Sequence, residues 1–598
     1  MQGEQMENLF NNLKSLLKKD ERLTSEGELL KNKIIELALK LDKDIVKLLL
    51  SDKKIKEIFF IKVDGTLIFD KDKFVRFVSN KQFLPDSYTA FKNKIGLIDE
   101  KGEFISEKKE VLLSWPYKDC VLEGGMTKED QKRDEIFWNE ILAPDEISRL
   151  FDPKVFTNAK RIDAKGEHKF DGFRTDENGD IKDNLIIKGN NLLTLHSLKK
   201  RFAGKVKLIY IDPPYNTGGS EDTFTYNDSF KHSTWLTFMK NRLEVAKDLL
   251  SKEGTIYINI DFNEAHYLKV LMDEVFGRDN FQREIIWRIG WLSGFKTASD
   301  NYIRNHDTIL FYSKSKEFTF NKDKAYTTKL DFVERFNNKI KKEIAEYLKK
   351  LGIKNPKKLR QFLEFVSNIG YPDRYPLEDT WNCSIYDKLN SIAIVSYSGE
   401  KVSKMLGSKE FKGQKPEKLL KRIIEISTNP GDVVLDFFVG TGTTCAVSHK
   451  MNRQYIGIEQ LNTHINLTLE RLKNVINGDQ TGISKTVGWK GGGDFVYLEL
   501  MKWNENFVEK IKKAKTKEEL KNLWETMKEK AFLSYKVDIK AVDENAKDFE
   551  ELSIEDQKRF LFECLDKNHL YVNYSEIDDE EYGVREEDKK LNREFYGK

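Results

Sequence analysis

Short, almost wholly apolar segments alternate with helical segments in two separate parts of this 598-residue chain. The first part runs from residue 184 to about residue 276 and contains the apolar segment KVKLIYI (205–211). The second part runs from about residue 415 to residue 500 and contains DVVLDFF (432–438). Strands that are apolar on both faces are typical of a parallel sheet with helices on both sides. The pattern therefore predicts a Rossmann-like, doubly wound α/β fold whose sheet is mostly parallel.

The regions around these two parts have other patterns. The N-terminal region mixes helical and strand-like spacing, the region between the two parts loses the regular alternation, and the last hundred or so residues are helical. We therefore expect five segments: an N-terminal α+β domain (1–165), a first half of the α/β domain (166–286), an inserted domain (287–400), a second half (401–502) and a helical C-terminal domain (503–598).

Composition limits the classes of function. The formal net charge of +3 does not by itself indicate a nucleic-acid-binding protein, although local basic patches are compatible with it. The four cysteines are isolated and have no histidine at ligand spacing, so we expect neither a metal site nor a disulfide framework. No segment has the apolar length of a membrane span, which favours a cytoplasmic protein.

The first segment with recognisable chemistry is Asp-Pro-Pro-Tyr, which directly follows the apolar segment 205–211. Two consecutive prolines make the loop stiff and leave its carbonyl groups available. The carboxylate of Asp212 and the carbonyl of Pro213 can together accept both hydrogens of a planar exocyclic amine, which frees the nitrogen lone pair to attack a methyl sulfonium. Tyr215 offers a flat face to a base rotated out of a duplex. We interpret Asp212, Pro213, Pro214 and Tyr215 as catalytic candidates; a plain turn after a strand is the alternative.

A second strand ends in Asp436 and is followed by Gly440 and Gly442 at the start of a helix. Glycines permit a tight turn and a close approach of the backbone to a ligand. About twenty residues later the next strand ends in Glu459, which can accept hydrogen bonds from two ribose hydroxyls. Cys445 stands where a dinucleotide-binding motif has its third glycine, and Asp436 would repel a pyrophosphate but suits an ammonium group. The motif favours S-adenosylmethionine over NAD; a generic strand–helix turn is the alternative.

The two motifs and their order resemble a known family. Asp-Pro-Pro-Tyr comes first and the glycine motif follows some two hundred residues later, with Gln414, Lys415 and Pro416 just before it, which is the permuted order of β-class amino-methyltransferases. The stretches FVSNKQFLPDSYTAFKNKIGL, WPYKDCVLEGG, IFWNEILAPDE, DPKVFTNAKR, DPPYNTG, NYIRNHDTILFYSK and YVNYSEI resemble the Mod (modification) subunits of type III restriction-modification systems. The resemblance covers most of the chain and is weakest over roughly residues 300–400.

The resemblance implies S-adenosylmethionine as the cofactor and the N6 of adenine in double-stranded DNA as the target. It also implies a short asymmetric site methylated on one strand, a Mod homodimer formed through residues 503–598, and a separate Res subunit with helicase and nuclease activity. It gives the role of holding the flipped base to the Asp-Pro-Pro-Tyr residues. It assigns to the cofactor pocket Lys415, Pro416, Asp436, Phe437, Gly440, Gly442 and Glu459.

The inserted domain 287–400 is the expected target-recognition region. Lysines dominate residues 339–360 and suit contacts with phosphates, although a solvated helix is an equal alternative. The candidate DNA contacts are Asn259, Asp261, Trp287, Trp291, Lys349, Lys350, Lys357 and Lys358. For the tryptophans, a place in the core is the alternative.

Other functions remain open from the sequence. A solitary or type II amino-methyltransferase, acting on adenine N6 or cytosine N4, would use the same chemistry. A catalytically silent DNA-binding subunit would keep the fold without the reaction. The sequence has no Walker A lysine loop and no convincing nuclease carboxylate cluster, so we do not expect this chain to cleave DNA alone.

Overall fold

The computed structural model describes most of the chain in two compact units, Met1–Lys109 and Glu110–Lys598. The described residues are 12–25, 28–63, 66–79, 150–217, 232–290, 302–328, 338–353, 355–368, 374–383, 387, 389, 413–534 and 537–597.

The first unit is a small α+β body with its own hydrophobic core. Its helices are α1 (Lys31–Leu39), α2 (Lys43–Leu50), α3 (Lys53–Phe59) and α4 (Lys71–Ser79). Its strands form two hairpins, β1 (Thr24–Ser25) with β2 (Glu28–Leu29) and β3 (Phe60–Val63) with β4 (Thr66–Phe69). Asp42 and Asp52 cap the second and third helices by accepting hydrogen bonds from backbone N–H groups. Apolar residues on the inner helix faces, such as Ile45 and Phe59, are fully buried.

The second unit is built on one eleven-stranded sheet. Its strands are β5 (Phe156–Asp163), β6 (Gly166–Lys169), β7 (Leu185–Lys188), β8 (Val206–Ile211), β9 (Leu250–Ile260), β10 (Phe281–Arg288), β11 (His306–Ser313), β14 (Thr380–Trp381), β15 (Val433–Asp436), β16 (Gln454–Glu459) and β17 (Phe495–Leu500). They lie in the order β14-β10-β11-β9-β8-β15-β16-β7-β17-β5-β6. A separate hairpin pairs β12 (Tyr326–Thr328) with β13 (Arg374–Pro376).

The six central strands, from β9 to β17, are parallel, and the sheet is extended by antiparallel pairing with β11 and β10 on one side and with β5 and β6 on the other, while the outermost strand β14 is parallel to β10. Each central strand is almost continuously buried, as expected for a sheet covered on both faces. The expected α/β fold with a mostly parallel sheet is therefore confirmed. The chain leaves β8 toward β9 and leaves β15 in the opposite direction toward β16, so β8 and β15 flank a topological switch point.

Helices cover both faces of this sheet and continue after its last strand. They are α5 (Asn191–Phe202), α6 (His232–Leu249), α7 (Ala265–Phe276), α8 (Asn338–Lys350), α9 (Pro356–Asn368), α10 (Glu417–Ser427), α11 (Thr443–Lys450), α12 (Asn462–Ile476), α13 (Ser484–Val487), α14 (Asn504–Lys513), α15 (Lys517–Lys530), α16 (Ile539–Glu544), α17 (Ala546–Glu551), α18 (Ile554–Cys564) and α19 (Glu586–Tyr596). No helix in the described ranges is long and apolar enough to span a bilayer.

The sheet reaches beyond the sequence boundaries expected for the α/β halves. Strand β5 begins at Phe156, and β10 and β11 continue the sheet past residue 286. The C-terminal helices share one hydrophobic cluster with the sheet, which includes Phe595 and Tyr596. Asn592 of α19 also exchanges hydrogen bonds with the backbone of Phe156. The division into five domains stays a prediction, but residues 503–597 are packed onto the sheet.

Candidate active site

The two motifs meet at the switch point. Strands β8 and β15 are parallel neighbours, with Leu208 opposite Val434 and Ile209 opposite Leu435. Asp212 follows the end of the first strand and Asp436 ends the second, so both carboxylates lie at the same sheet edge. Ligands of doubly wound sheets bind at this position, outside the carboxyl ends of the strands on either side of the switch point.

Lys415 joins the two loops. Its Nζ lies 2.6 Å from Oδ2 of Asp212, and its backbone carbonyl accepts a hydrogen bond of 3.2 Å from Oγ1 of Thr443, the first residue of α11. The ammonium group also lies 5.2 Å from the ring centroid of Tyr215. The following residue, Pro416, is buried at the N-cap of α10. One lysine is therefore in contact with the Asp-Pro-Pro-Tyr loop and with the glycine loop.

The hydroxyl of Tyr215 is part of a buried polar cluster. It lies 2.9 Å from Oδ1 of Asp212 and 3.2 Å from Oδ2 of Asp307, and it accepts a hydrogen bond from the Asn259 amide. Burial raises the pKa of Tyr215, so the hydroxyl keeps its proton and can donate it to a carboxylate. These contacts fix the ring next to Asp212.

Burial also controls the protonation of Asp212. Desolvation raises the pKa of Asp212, and the ion pair and hydrogen bond with Lys415 act in the opposite direction. The net effect is a raised pKa. Asp212 is thus a more basic carboxylate than an exposed aspartate, and it already holds one cationic donor.

The two proline carbonyls have different environments. The Pro214 carbonyl accepts a hydrogen bond of 2.8 Å from Nε1 of Trp235, a buried residue of α6. Among the described residues no donor reaches the carbonyl oxygen of Pro213. The Pro213 carbonyl and the Asp212 carboxylate therefore remain as neighbouring acceptors.

The residue after the motif, Asn216, is also held in place. It has a φ of 59°, in the left-handed region, and its side-chain amide donates to Oε1 of Glu264 over 2.6 Å. The same oxygen lies 2.6 Å from Nδ1 of His232. Burial raises the pKa of Glu264. The loop is thus tied at both ends, by Lys415 and by Glu264.

In the glycine loop, carboxylates hold backbone N–H groups. The N–H of Gly440 donates to Oε2 of Glu459 over 3.0 Å, while Oε1 accepts from Gln460 and Leu461. Glu459 was expected to bind ribose hydroxyls. Its carboxylate already accepts three hydrogen bonds from the chain, and with two lone pairs on each oxygen it can accept about one further hydrogen bond. Its observed contacts give it a further role in shaping the loop.

Asp436 is buried among other acids. Its Oδ1 accepts from the N–H of Phe438 and its Oδ2 from the hydroxyl of Thr444, at 2.9 and 2.6 Å. Burial, with smaller contributions from Asp212 and Glu459, raises the pKa of Asp436 to about 7. Within the described residues no lysine or arginine forms an ion pair with Asp436, whose two hydrogen-bond partners are both neutral. A cationic ligand such as S-adenosylmethionine, with its sulfonium and ammonium groups, fits this site.

Two further residues support the glycine loop. Asn191 donates to the Phe437 carbonyl over 3.0 Å and accepts from Nε of Arg242 over 2.7 Å. Arg242 is fully buried, with its guanidinium 3.6 Å from the centroid of Phe238. The side chain of Phe437 is buried in the hydrophobic core, and its backbone carbonyl is the part that accepts the hydrogen bond from Asn191. Neither Asn191 nor Arg242 was predicted from the sequence.

The predicted DNA contacts fall into different environments. Asn259 and Asp261 are buried at the sheet edge beside Tyr215. Trp287 is 1% exposed and its indole N–H donates to the Leu389 carbonyl, as the alternative of a core residue describes, and a DNA contact of Trp287 stays a prediction. Trp291 lies outside the described residues. The four lysines predicted to contact DNA are exposed on α8 and α9, and their role stays a prediction: Lys349, Lys350, Lys357 and Lys358.

Asp307 is a further site residue that was not predicted from the sequence. It is the second residue of β11, and the start of this strand lies beside the end of β9. Its carboxylate contacts Tyr215, Asn259 and Arg304. The only available signal was its place in NYIRNHDTILFYSK, one of the stretches that carries the family resemblance.

Family models match two parts of the chain. Residues 206–470 match the model described as DNA methylase, which spans both loops of the site. Residues 42–97 match the model of the type III restriction/modification enzyme methylation subunit.

Individual proteins are similar as well. The probable type III restriction-modification enzyme HindVI Mod subunit of Haemophilus influenzae is 35% identical, with 95% of each chain covered. The type III EcoPI Mod subunit of Escherichia phage P1 is 28% identical over 46% of this chain and 56% of its own length. The solved structure of the M1.HpyAVI–SAM complex is 17% identical with a TM-score of 0.28, covering 48% of this chain and 99% of that one.

Proposed function

The chain belongs to the Mod (methylation) subunits of type III restriction-modification systems, and on this basis we propose that it transfers a methyl group from S-adenosylmethionine to the N6 of adenine in DNA. The single observation that supports this most is the Lys415 bridge, because it places the Asp-Pro-Pro-Tyr loop and the glycine loop in one site.

We propose that Asp212 and the Pro213 carbonyl bind the exocyclic amine. Both are acceptors at the end of β8, and holding both amine hydrogens turns the nitrogen lone pair toward the methyl group. The raised pKa of Asp212 suits a group that accepts the proton which the amine loses after transfer. Tyr215 donates to Asp212 and presents its ring to the base, which is rotated out of the duplex.

The residues around Asp436 would hold the cofactor, which supplies an electrophilic methyl group when bound. Asp436 offers its charge to the ammonium group, and Glu459 has room for a ribose hydroxyl in addition to its contacts with the loop. Gly440 and Gly442 have positive φ values of 56° and 75° and bring the backbone close to the ligand. Lys415 holds the Asp-Pro-Pro-Tyr loop next to the glycine loop.

The test is a transfer assay with the purified full-length chain. It is incubated with labelled S-adenosylmethionine and with duplex DNA, and the product is sequenced by a method that detects modified bases. N6-methyladenine on one strand of a short asymmetric site is the expected product. N4-methylcytosine as the product would show that the target base is cytosine. No transfer with or without a Res subunit would reject the proposed activity and favour a catalytically silent DNA-binding subunit.

We also propose that the chain works as a homodimer in the cytoplasm, together with a Res subunit, as its family membership suggests. Truncation near residue 502 is a poor test of dimer formation, because it would uncover the core that α19 shares with β5. Sedimentation equilibrium of the intact chain is the better measurement, and a monomer at micromolar concentration would reject the dimer.

A further inference from the structure

Phe262 is a large apolar side chain that the fold presents to solvent. It is 60% exposed and belongs to none of the hydrophobic clusters found among the described residues. The turn that carries it is held firmly: Asp261, which is 1% exposed, accepts 2.9 Å hydrogen bonds from the backbone and side-chain N–H groups of Asn263. The Asp261 carbonyl also accepts from Ala265 at the start of α7. The ring is therefore exposed on a fixed turn.

Arg304 lies beside this ring. Its guanidinium carbon is 5.4 Å from the ring centroid of Phe262, and its Nη2 is 2.6 Å from Oδ1 of Asp307 and 3.6 Å from Oδ2 of Asp261. The side chain is 37% exposed. Within the described residues only one of its five N–H donors is used in a hydrogen bond, so the exposed edge of the guanidinium can bind an anion.

The pair lies next to the catalytic loop. Phe262 follows β9, the parallel neighbour of β8, and both strands end at the same sheet edge. Asp307 contacts Arg304 with one carboxylate oxygen and the Tyr215 hydroxyl with the other. An aromatic face and a guanidinium edge side by side match the two chemical parts of a nucleotide, its base and its phosphate.

From this geometry we propose that Phe262 and Arg304 form a binding site for one nucleotide of the DNA next to the target base. The ring of Phe262 stacks on that base, and the guanidinium of Arg304 binds its phosphate. This site rests on the proposed function, since it lies beside the pocket for the flipped base. It would help to keep the strand in place while the target base is rotated out of the duplex.

The experiment compares Phe262→Ala with Phe320→Ala. Phe320 is also an exposed phenylalanine, at 44%, but it follows the opposite end of β11. There the backbone N–H of Lys314 donates to the Gly254 carbonyl in the first half of β9, at the sheet edge opposite the active site. Dissociation constants are measured by fluorescence anisotropy with a labelled, unmethylated duplex that contains the sequence found to be methylated in the transfer assay. We expect Phe262→Ala to weaken DNA binding by about tenfold, the loss of one stacked base, and Phe320→Ala to leave it unchanged. S-adenosylmethionine affinity is expected to stay the same in both.

Arg304 is tested by the salt dependence of binding. Arg304→Gln is expected to weaken DNA binding and to reduce the slope of log affinity against log salt by about one, while Arg304→Lys keeps most of that slope. A melting curve of each variant checks that the fold is intact. DNA affinity within about twofold of wild type in both Phe262→Ala and Arg304→Gln would overturn the proposed site.

The two proposals can fail separately. If the wild-type chain methylates DNA but neither variant changes DNA affinity, the nucleotide site is wrong and the proposed function stands. If the wild-type chain transfers no methyl group, the proposed function is wrong, and binding to a duplex of random sequence then tests the site alone. A reduced salt slope with Arg304→Gln would still support it, and an unchanged slope would reject it.

Discussion

Lys415 and Asp212, which are 203 positions apart in the chain, form an ion pair with a distance of 2.6 Å between Nζ and Oδ2. The same lysine contacts the first residue of the helix after the glycine loop through its backbone carbonyl. A residue assigned by resemblance to the cofactor pocket is thus a direct partner of the carboxylate that we propose binds the base amine.

Removing the carboxylate of Asp212 should stop the reaction and spare cofactor binding. In the proposed reaction Asp212 binds the base amine, so Asp212→Ala is expected to abolish transfer and to change S-adenosylmethionine affinity by less than about tenfold. Transfer is measured in single turnover and affinity by calorimetry. An equal loss of both would show that Asp212 belongs to the cofactor pocket instead.

Removing the charge of Lys415 should move the pH profile of transfer. Lys415 lowers the pKa of Asp212 against the effect of burial, so Lys415→Met is expected to raise that pKa further. More Asp212 is then protonated at a given pH, and the acid limb of the rate profile shifts to higher pH. Single-turnover rates between about pH 5 and about pH 9 measure the shift. Lys415→Arg is the matched control, and an identical profile for all three proteins would contradict the role of the ion pair.

Cofactor affinity should depend on the ionisation of Asp436. The pKa of Asp436 is raised to about 7 in the free protein, and only its ionised form attracts the ammonium group. Affinity for S-adenosylmethionine is therefore expected to increase by about tenfold between about pH 6 and about pH 8. Calorimetry measures this increase. Asp436→Asn should bind weakly and lose the pH dependence; a variant that keeps the same increase would place the titrating group elsewhere.

A methyl group at Gly442 should disturb the glycine loop beyond the backbone cost. Gly442 has a φ of 75°, and a Cβ there would lie 2.9 Å from Cγ2 of Thr468. Gly488 has a similar φ of 70° with nothing within 4 Å, so Gly488→Ala carries only the conformational cost, about 1–2 kcal/mol. We expect Gly442→Ala to lose more unfolding free energy than this control, measured by urea denaturation, and to bind the cofactor more weakly. Equal losses for the two variants would mean that Thr468 moves aside freely.

The sequence was sufficient to predict the fold and the two loops, because apolar strands and their terminal motifs are local patterns. The sequence also placed each loop after a buried apolar strand, and in the structure these two strands are parallel neighbours, so the loops meet. It could not identify Asp307, whose contact with Tyr215 depends on the pairing of β11 with β9 in an antiparallel register. No local pattern specifies that register.

The burial of Trp287 could not be predicted for a related reason. The alternation of strands and helices stops near this residue, which placed it in an inserted domain. In the structure β10 extends through residue 288 and buries the indole within the sheet. The contact of Glu459 with the glycine loop was also hidden, because its hydrogen bond with Gly440 forms only after two separate strands have been placed side by side.

The pairing of β8 with β15 has a consequence for how the molecule is made. During synthesis β9 follows β8 from the ribosome and can pair with it on one side. The other edge of β8 stays unpaired until β15, more than two hundred residues downstream, has been made. Contacts of such long sequence separation form slowly, and an open, apolar strand edge is a template for aggregation. Newly made chains should therefore depend on chaperones until the second half emerges.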